Sequence, residues 1–282
     1  MESAGGWGFL SEFRWTPPST QAASWLASES LAALARRDLL VHLTEVDRAL
    51  RQWDRHLEEL GGDPVRHDWT TFRPLRLSRE EDWSDWLAFL LERSMTGVLG
   101  AAVFGGDPTH HVTPASVRRE WALPGDYRAD LGIELAASNG WLHVEVKVGD
   151  EDFPKTFGEC AAFRAAIGGE PVVRDFILLP STSMSAWTEA EAAHRSHASA
   201  PAAEVVAVTW DRVAVGLRRS LRRKEESIAW RAWAHTFVGA IEQRLLGVPR
   251  LGPTVDARTQ SLAALAGLAA FARVLEDGAN DG

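Results

Sequence analysis

The sequence predicts an α/β protein: a small mixed β-sheet flanked by helices, with helical regions at both ends. Three observations carry this. Residues 127 to 149, YRADLGIELAASNGWLHVEVKVG, alternate apolar and polar positions along two runs around a turn. Residues 155 to 167 then show helical spacing and lead into a further apolar run, VVRDFILL, so the returning strand is expected to lie parallel to the one before it. Apolar stripes at helical spacing fill residues 29 to 60 and most of the chain after residue 211.

In chain order, residues 1 to 29 are punctuated by Gly, Ser and Pro and are expected to be irregular, packed by Trp7, Phe9, Trp15 and Trp25. A helix over 29 to 60, capped by Ser28 or Ser30, carries Leu31, Leu34, Leu50, Trp53 and Leu57 and stops at Gly61-Gly62. A second helix is expected from Ser78, where Ser78-Arg79-Glu80-Glu81 has the form of a capping box. Residues 105 to 126 read as a Gly/Pro/His loop holding Arg118 and Arg119. The ribbon follows, with Asn139-Gly140 as a hairpin signal. Beyond VVRDFILL, residues 181 to 203 read as part loop and part helix, and 205 to 210 as a strand. Helices are expected over 211–223, 227–246 and 257–275. The chain thus divides into a helical N-terminal region (1–75), a core (76–215) and a helical C-terminal region packed on it (216–282).

Bulk properties bound the function. The chain has 282 residues, 45% of them apolar, and a formal net charge of −9. A bulk basic footprint for nucleic acid is absent, so any such binding needs a local patch. The one cysteine, Cys160, excludes a disulfide framework, a cysteine-ligated zinc site and an iron–sulfur cluster, and its apolar helical setting reads as core. The N-terminus lacks a secretory pattern, and the apolar run 262–272 is too short to span a bilayer. A soluble cytoplasmic protein without membrane contact is expected. Thirteen tryptophans against one tyrosine read as a core of large rings rather than a base-stacking surface.

The chemistry gathers on one side of the ribbon. Arg128, Asp130, Gly132 and Glu134 share a face of the first run, and His143, Glu145 and Lys147 share a face of the second. Two carboxylates and an amine together can hold a divalent metal and activate water. The register stays open. A strict two-residue turn sets Glu134 opposite Glu145 and moves Asp130 about 13 Å out of line, at ~3.3 Å per residue. A wider loop or a bulge brings Asp130 opposite Glu145. His143 can hydrogen-bond on the same polar face, and His110-His111 with Asp107 reads as plain loop. Arg218, Arg219, Arg222, Arg223 and Lys224 cluster near a helix C-terminus. They read equally as cations complementing the helix dipole and as contacts to nucleic-acid phosphates. Arg73, Arg76, Arg118 and Arg119 extend such a groove if the fold brings them near. No nucleophile elbow surrounds Ser181, Ser183 or Ser185, and no phosphate-cradling Gly-Lys loop is present.

Asp130, fourteen intervening residues, then Glu145-x-Lys147 resemble the PD-(D/E)xK nuclease superfamily, over roughly residues 78 to 215. The proline that precedes the acid in that motif is Ala129 here. The resemblance implies a restriction-endonuclease-like core and Mg2+-dependent hydrolysis of phosphodiester bonds, with Mn2+ able to substitute. DNA is the implied substrate, in restriction, repair or defence against foreign DNA. Asp130 and Glu145 would bind the metal, with the Val146 carbonyl as a third donor. Lys147 would hold the attacking water or the phosphate. An acid on the first helix, Glu80 or Glu81, would assist; Glu80 shares a face with Trp83, Leu87 and Leu91 and is preferred. A homodimer or a regulatory protein partner fits the same expectation. The alternative is a catalytically inactive nuclease-like scaffold that binds nucleic acid or a partner protein, which the acidic net charge favours.

Overall fold

Period-two alternation builds the sheet, and a crossover helix decides which strands run parallel. The structure, a computed structural model, describes residues 44, 46–70, 77–105, 114–136, 140–149, 151–169, 171–197, 204–251 and 271–278. Five strands, β1 (Pro114–Ala122), β2 (Arg128–Leu135), β3 (Gly140–Val146), β4 (Val172–Leu179) and β5 (Val205–Thr209), stand side by side in chain order. β1–β2 and β2–β3 are antiparallel, while β3–β4 and β4–β5 are parallel. The two parallel steps pass through helices, numbered in chain order after α1 (46–56), α2 (Glu80–Arg93) and α3 (Val98–Phe104): α4 (Phe153–Ile167) and α5 (Met184–His197). α6 (Trp210–Arg223), α7 (Ile228–Ala240), a π-helical turn at Ile241–Leu245 and α8 (271–278) follow. The protein is therefore mixed α/β, with a five-stranded mixed sheet flanked by helices.

The packing explains the tryptophan content. α4 lays Phe163 against Trp121, Trp141 and His143, while Phe153 and Cys160 join Ile177, Leu179 and Trp187 in one apolar cluster. On the other face of β4, Phe176 meets Phe104 of α3. Trp83 of α2, Trp210 of α6 and Phe237 of α7 close ring on ring. Gly132 on β2 is a packing requirement. A Cβ there would lie 2.9 Å from Trp121 and 3.0 Å from Phe163. Among the described residues no helix is long and apolar enough to cross a membrane.

Several elements differ from the sequence expectation, each for a physical reason. Residues 114 to 122 form β1 rather than loop. The run PASVRREWA hides its alternation behind three adjacent charged residues, as suits the edge of a sheet. Its Arg118 guanidinium stacks over the rings of Trp121 and Trp141. The ribbon is not half-solvated: every residue of β3 is buried, because β3 lies inside the sheet and both faces are covered. Gly140 pairs with Leu135, so four residues separate the paired ends and the two-residue Asn-Gly turn does not form. α2 starts at Glu80, two residues beyond Ser78, with the Asp82 carboxylate accepting the N–H groups of Ser78 and Arg79. α6 runs unbroken through the 215/216 boundary. The expected irregular N-terminus, Arg73, Arg76, Asp107, His110, His111 and most of the 257–275 helix lie outside the described residues.

Arg218 overturns part of the expected phosphate-binding cluster. It is fully buried, and its guanidinium bonds Glu242 at 2.6 and 2.9 Å and Asp63 at 2.8 and 3.1 Å. Trp53 and Phe271 flank it, each ring centroid 5.0 Å away. The adjacent cations in sequence point elsewhere, because a helix turns its side chains by ~100° per residue. Arg218 thus ties the loop after α1, the π-helical turn and α8 to α6. Lys224 pairs with Glu59 at 3.2 Å. Removing one member of such a buried ion cluster leaves uncompensated charge, which costs about 3 kcal/mol or more. Arg218→Ala is expected to lower the thermal midpoint sharply; an unchanged melting curve contradicts this role.

Candidate functional site

The acids and the lysine converge where β2 begins and β3 ends. The antiparallel register runs from Leu135 opposite Gly140 to Leu131 opposite Val144. One further step sets Asp130 opposite Glu145. The Val146 N–H donates to Asp130 Oδ2 at 2.8 Å and holds that carboxylate at the strand end. Glu134 instead faces Trp141 across the ladder and accepts a hydrogen bond from Ser116 Oγ at 3.0 Å. It lies four positions along β2 from Asp130, about 13 Å at ~3.3 Å per residue, and cannot share an ion with Glu145.

The other members come from two helices and the residue after β3. Lys147 Nζ lies 3.0 Å from Glu145 Oε1 and 3.9 Å from Glu80 Oε2. Its backbone is fixed as well: its N–H donates to Leu178 O at 2.7 Å, and its carbonyl accepts from the Trp210 indole at 2.9 Å. Glu80, the first residue of α2, accepts the Val148 N–H at 2.9 Å. Glu81 turns away to Arg79 and Arg128. Of the two helix-one acids, Glu80 is the one at the site.

Sequence reasoning missed one carboxylate. Glu159 on α4 is fully buried and charge-coupled to both Asp130 and Glu145. Lys155, one turn earlier, pairs with its Oε1 at 2.9 Å. The signal was present: Glu159 falls on the buried stripe of Thr156, Cys160 and Phe163, where an acid is out of place.

The electrostatics follow from crowding. Burial pushes the Asp130 carboxyl up to about 6, against the Val146 N–H and Lys147, which pull it down. Burial, then the neighbouring Asp130 charge, raises Glu145 well above the ordinary carboxylate range. Burial lowers the Lys147 ammonium, but Glu145, Glu80 and Asp130 outweigh it and hold it above its usual value. Glu145 Oε2 and Glu159 Oε2 are buried without a hydrogen-bond partner among the described residues. Orphaned carboxylate oxygens beside other carboxylates form a donor set suited to a hard divalent cation. Asp130, Glu145 and Glu159 are the side chains that could hold one. The carbonyl of Val146, whose N–H positions Asp130, remains a candidate backbone donor.

A second polar cluster lies beneath. His143 faces Asp175 across the parallel ladder, with its Nδ1 3.0 Å from Asp175 Oδ1. Arg164 Nη2 bonds the other Asp175 oxygen. Burial, then Asp175, pushes the Cys160 thiol up. The three possible ligand atoms of His143, Cys160 and Asp175 lie within 4.8 Å of one another. The guanidinium already supplies Asp175 with its cation, so this group reads as a buried ion pair stabilising the sheet.

The cost of the acidic cluster can be measured. Asp130 titrates near 6 folded against 3.8 as its ordinary value, so the folded state binds its proton more tightly. Stability from this group is greatest below about pH 4 and declines as pH rises towards 6. In chelator at pH 7.5, Asp130→Asn is therefore expected to stabilise the fold, by on the order of 2 kcal/mol. The gain should shrink as pH falls to 4. Destabilisation at pH 7.5 contradicts the crowding. Comparison of the chain with protein-family models, curated proteins and solved structures finds no match in any of the three.

Proposed function

We propose that the protein is a metal-dependent nuclease that hydrolyses phosphodiester bonds, with DNA as the expected substrate. One observation carries this reading: Glu80, Asp130, Glu145 and Glu159 crowd around Lys147 at one strand end, and two carboxylate oxygens there lack any partner. When all are ionised, Lys147 and Lys155 leave two negative charges uncompensated. The order of elements agrees with the PD-(D/E)xK resemblance: an acid-bearing helix, a hairpin with Asp130 and Glu145-x-Lys147, a crossover helix, then parallel strands.

A bound Mg2+ or Mn2+ would supply Lewis acidity towards water and the scissile phosphate. Asp130, Glu145 and Glu159 would hold it. Lys147, protonated throughout the neutral range, would orient the attacking water or stabilise the pentavalent phosphate's charge. Glu80 positions Lys147 by charge and anchors the chain at Val148. Arg219, Arg222, Arg223 and Lys224 remain candidates for phosphate contact, whereas Arg218 does not.

A scaffold that binds without cutting is the second reading. The observation favouring it is the Lys147–Glu145 ion pair, which already engages one oxygen of the central carboxylate. Cleavage assays decide between them. With single-stranded and duplex DNA and RNA in Mn2+ or Mg2+, the wild type is expected to cut at least one substrate, and chelator to stop it. Glu145→Ala and Lys147→Ala should each lower the rate by about 100-fold or more with the fold retained by circular dichroism. Cleavage that survives both substitutions, or a wild type that cuts nothing, contradicts the proposal.

A further inference from the structure

A cleft of about 410 Å3 opens between α3 and α6, away from the carboxylates, and arginines line it. Arg212, Arg219 and Arg223 project from one stripe of α6, at helical spacing, while Ala101 and Ala102 of α3 form a low opposite wall. Two of the guanidiniums are held in a particular way. Arg212 donates through Nε to Ala102 O at 2.7 Å, and Arg219 through Nε to Asp277 O at 2.9 Å. Both acceptors are backbone carbonyls, so neither cation is neutralised. Among the described residues no carboxylate forms an ion pair with Arg212 or Arg219. Anchoring at Nε fixes the plane of each fork and leaves the terminal amines for a ligand. That is the geometry suited to two-point recognition of phosphate oxygens. The Asp211 carboxylate in the cleft accepts from Ser181 Oγ at 3.1 Å. In a chain of net charge −9, a walled row of three arginines is a local exception to the overall sign.

We infer that this cleft is a phosphate-recognition site, and that the phosphates it takes belong to the backbone of a nucleic-acid strand. The second half rests on the nuclease reading above. Two features favour a strand over a small phosphate ligand. The arginines run along more than two turns of α6 instead of converging on one point. The wall residues are also small and apolar, with no aromatic ring to grip a base or nucleoside. Contact would then be sequence-blind and salt-sensitive. The start of α6 adjoins the carboxylate site, because the Trp210 indole bonds the Lys147 carbonyl. A strand in the cleft would therefore lead towards the site.

The test uses the full chain carrying Glu145→Gln, in chelator, so that binding is read without cleavage. Fluorescent single-stranded and duplex oligonucleotides are titrated at several salt concentrations, with and without Arg219→Glu/Arg223→Glu. Arg212→Glu serves as an independent variant at the other end of the cleft. Affinity is expected to fall at least tenfold in 0.1 M salt. The slope of log K against log salt should lessen by about 2, at 0.7–0.9 per lost phosphate contact. Pyrophosphate is titrated separately, with thermal shift as readout. If pyrophosphate binds as tightly as the oligonucleotides and is lost in the variants, the cleft takes a free phosphate ligand and the strand assignment is overturned. If no probe distinguishes the variants from the parent, the site itself is overturned. Wild-type cleavage separates the two proposals. Cutting with binding unchanged in the variants sinks only the cleft. Variant-sensitive binding without cutting sinks only the nuclease.

Discussion

The hydrogen bond from the Val146 N–H to the Asp130 carboxylate sets the geometry on which the site depends. It fixes the register at the open end of the β2–β3 pair, and that register places Asp130 beside Glu145. Like charges opposite one another on adjacent strands repel. Here the repulsion is compounded by burial and by Glu159 arriving from α4. A fold tolerates such a cluster only if the surroundings enforce it. The Lys147 backbone, tied to Leu178 and Trp210, and Glu80, tied to Val148, provide that enforcement from three directions.

The rest of the molecule uses charge differently. The Arg218–Asp63–Glu242 group and the His143–Asp175–Arg164 group are also buried, but each gives its carboxylates a direct cationic partner. Those groups hold helices and strands together. The strand-end cluster is the exception, with carboxylate oxygens left over after its two lysines are used. This contrast within one chain separates a structural ion pair from a site that lacks a ligand.

Much of this was legible in the residues. Alternation put Asp130, Glu145 and Lys147 on one side of their strands, and helix parity chose Glu80 over Glu81. The parallel return of β4 followed from the intervening helix. Other features were hidden for identifiable reasons. Loop length decides whether Asp130 or Glu134 meets Glu145, and an Asn-Gly pair suggests a tighter turn than the one that forms. Glu159 looked like half of an ordinary Lys155–Glu159 surface pair, because burial of a helix stripe depends on what packs over it. Arg218 could not be told from Arg219 without knowing that Asp63, distant in sequence, and Glu242 await it. β1 was masked by Arg118, Arg119 and Glu120, whose charge suits an edge but imitates a loop.

The central claim is that these carboxylates are arranged for a cation. Calorimetric titration of Mn2+ into the metal-free protein tests it most directly. The account predicts saturable binding at pH 7.5, weakening as pH drops below 6 and protons compete for Asp130 and Glu145, and abolished in Glu145→Gln. Absence of binding at millimolar Mn2+, or binding unaffected by Glu145→Gln, would contradict it.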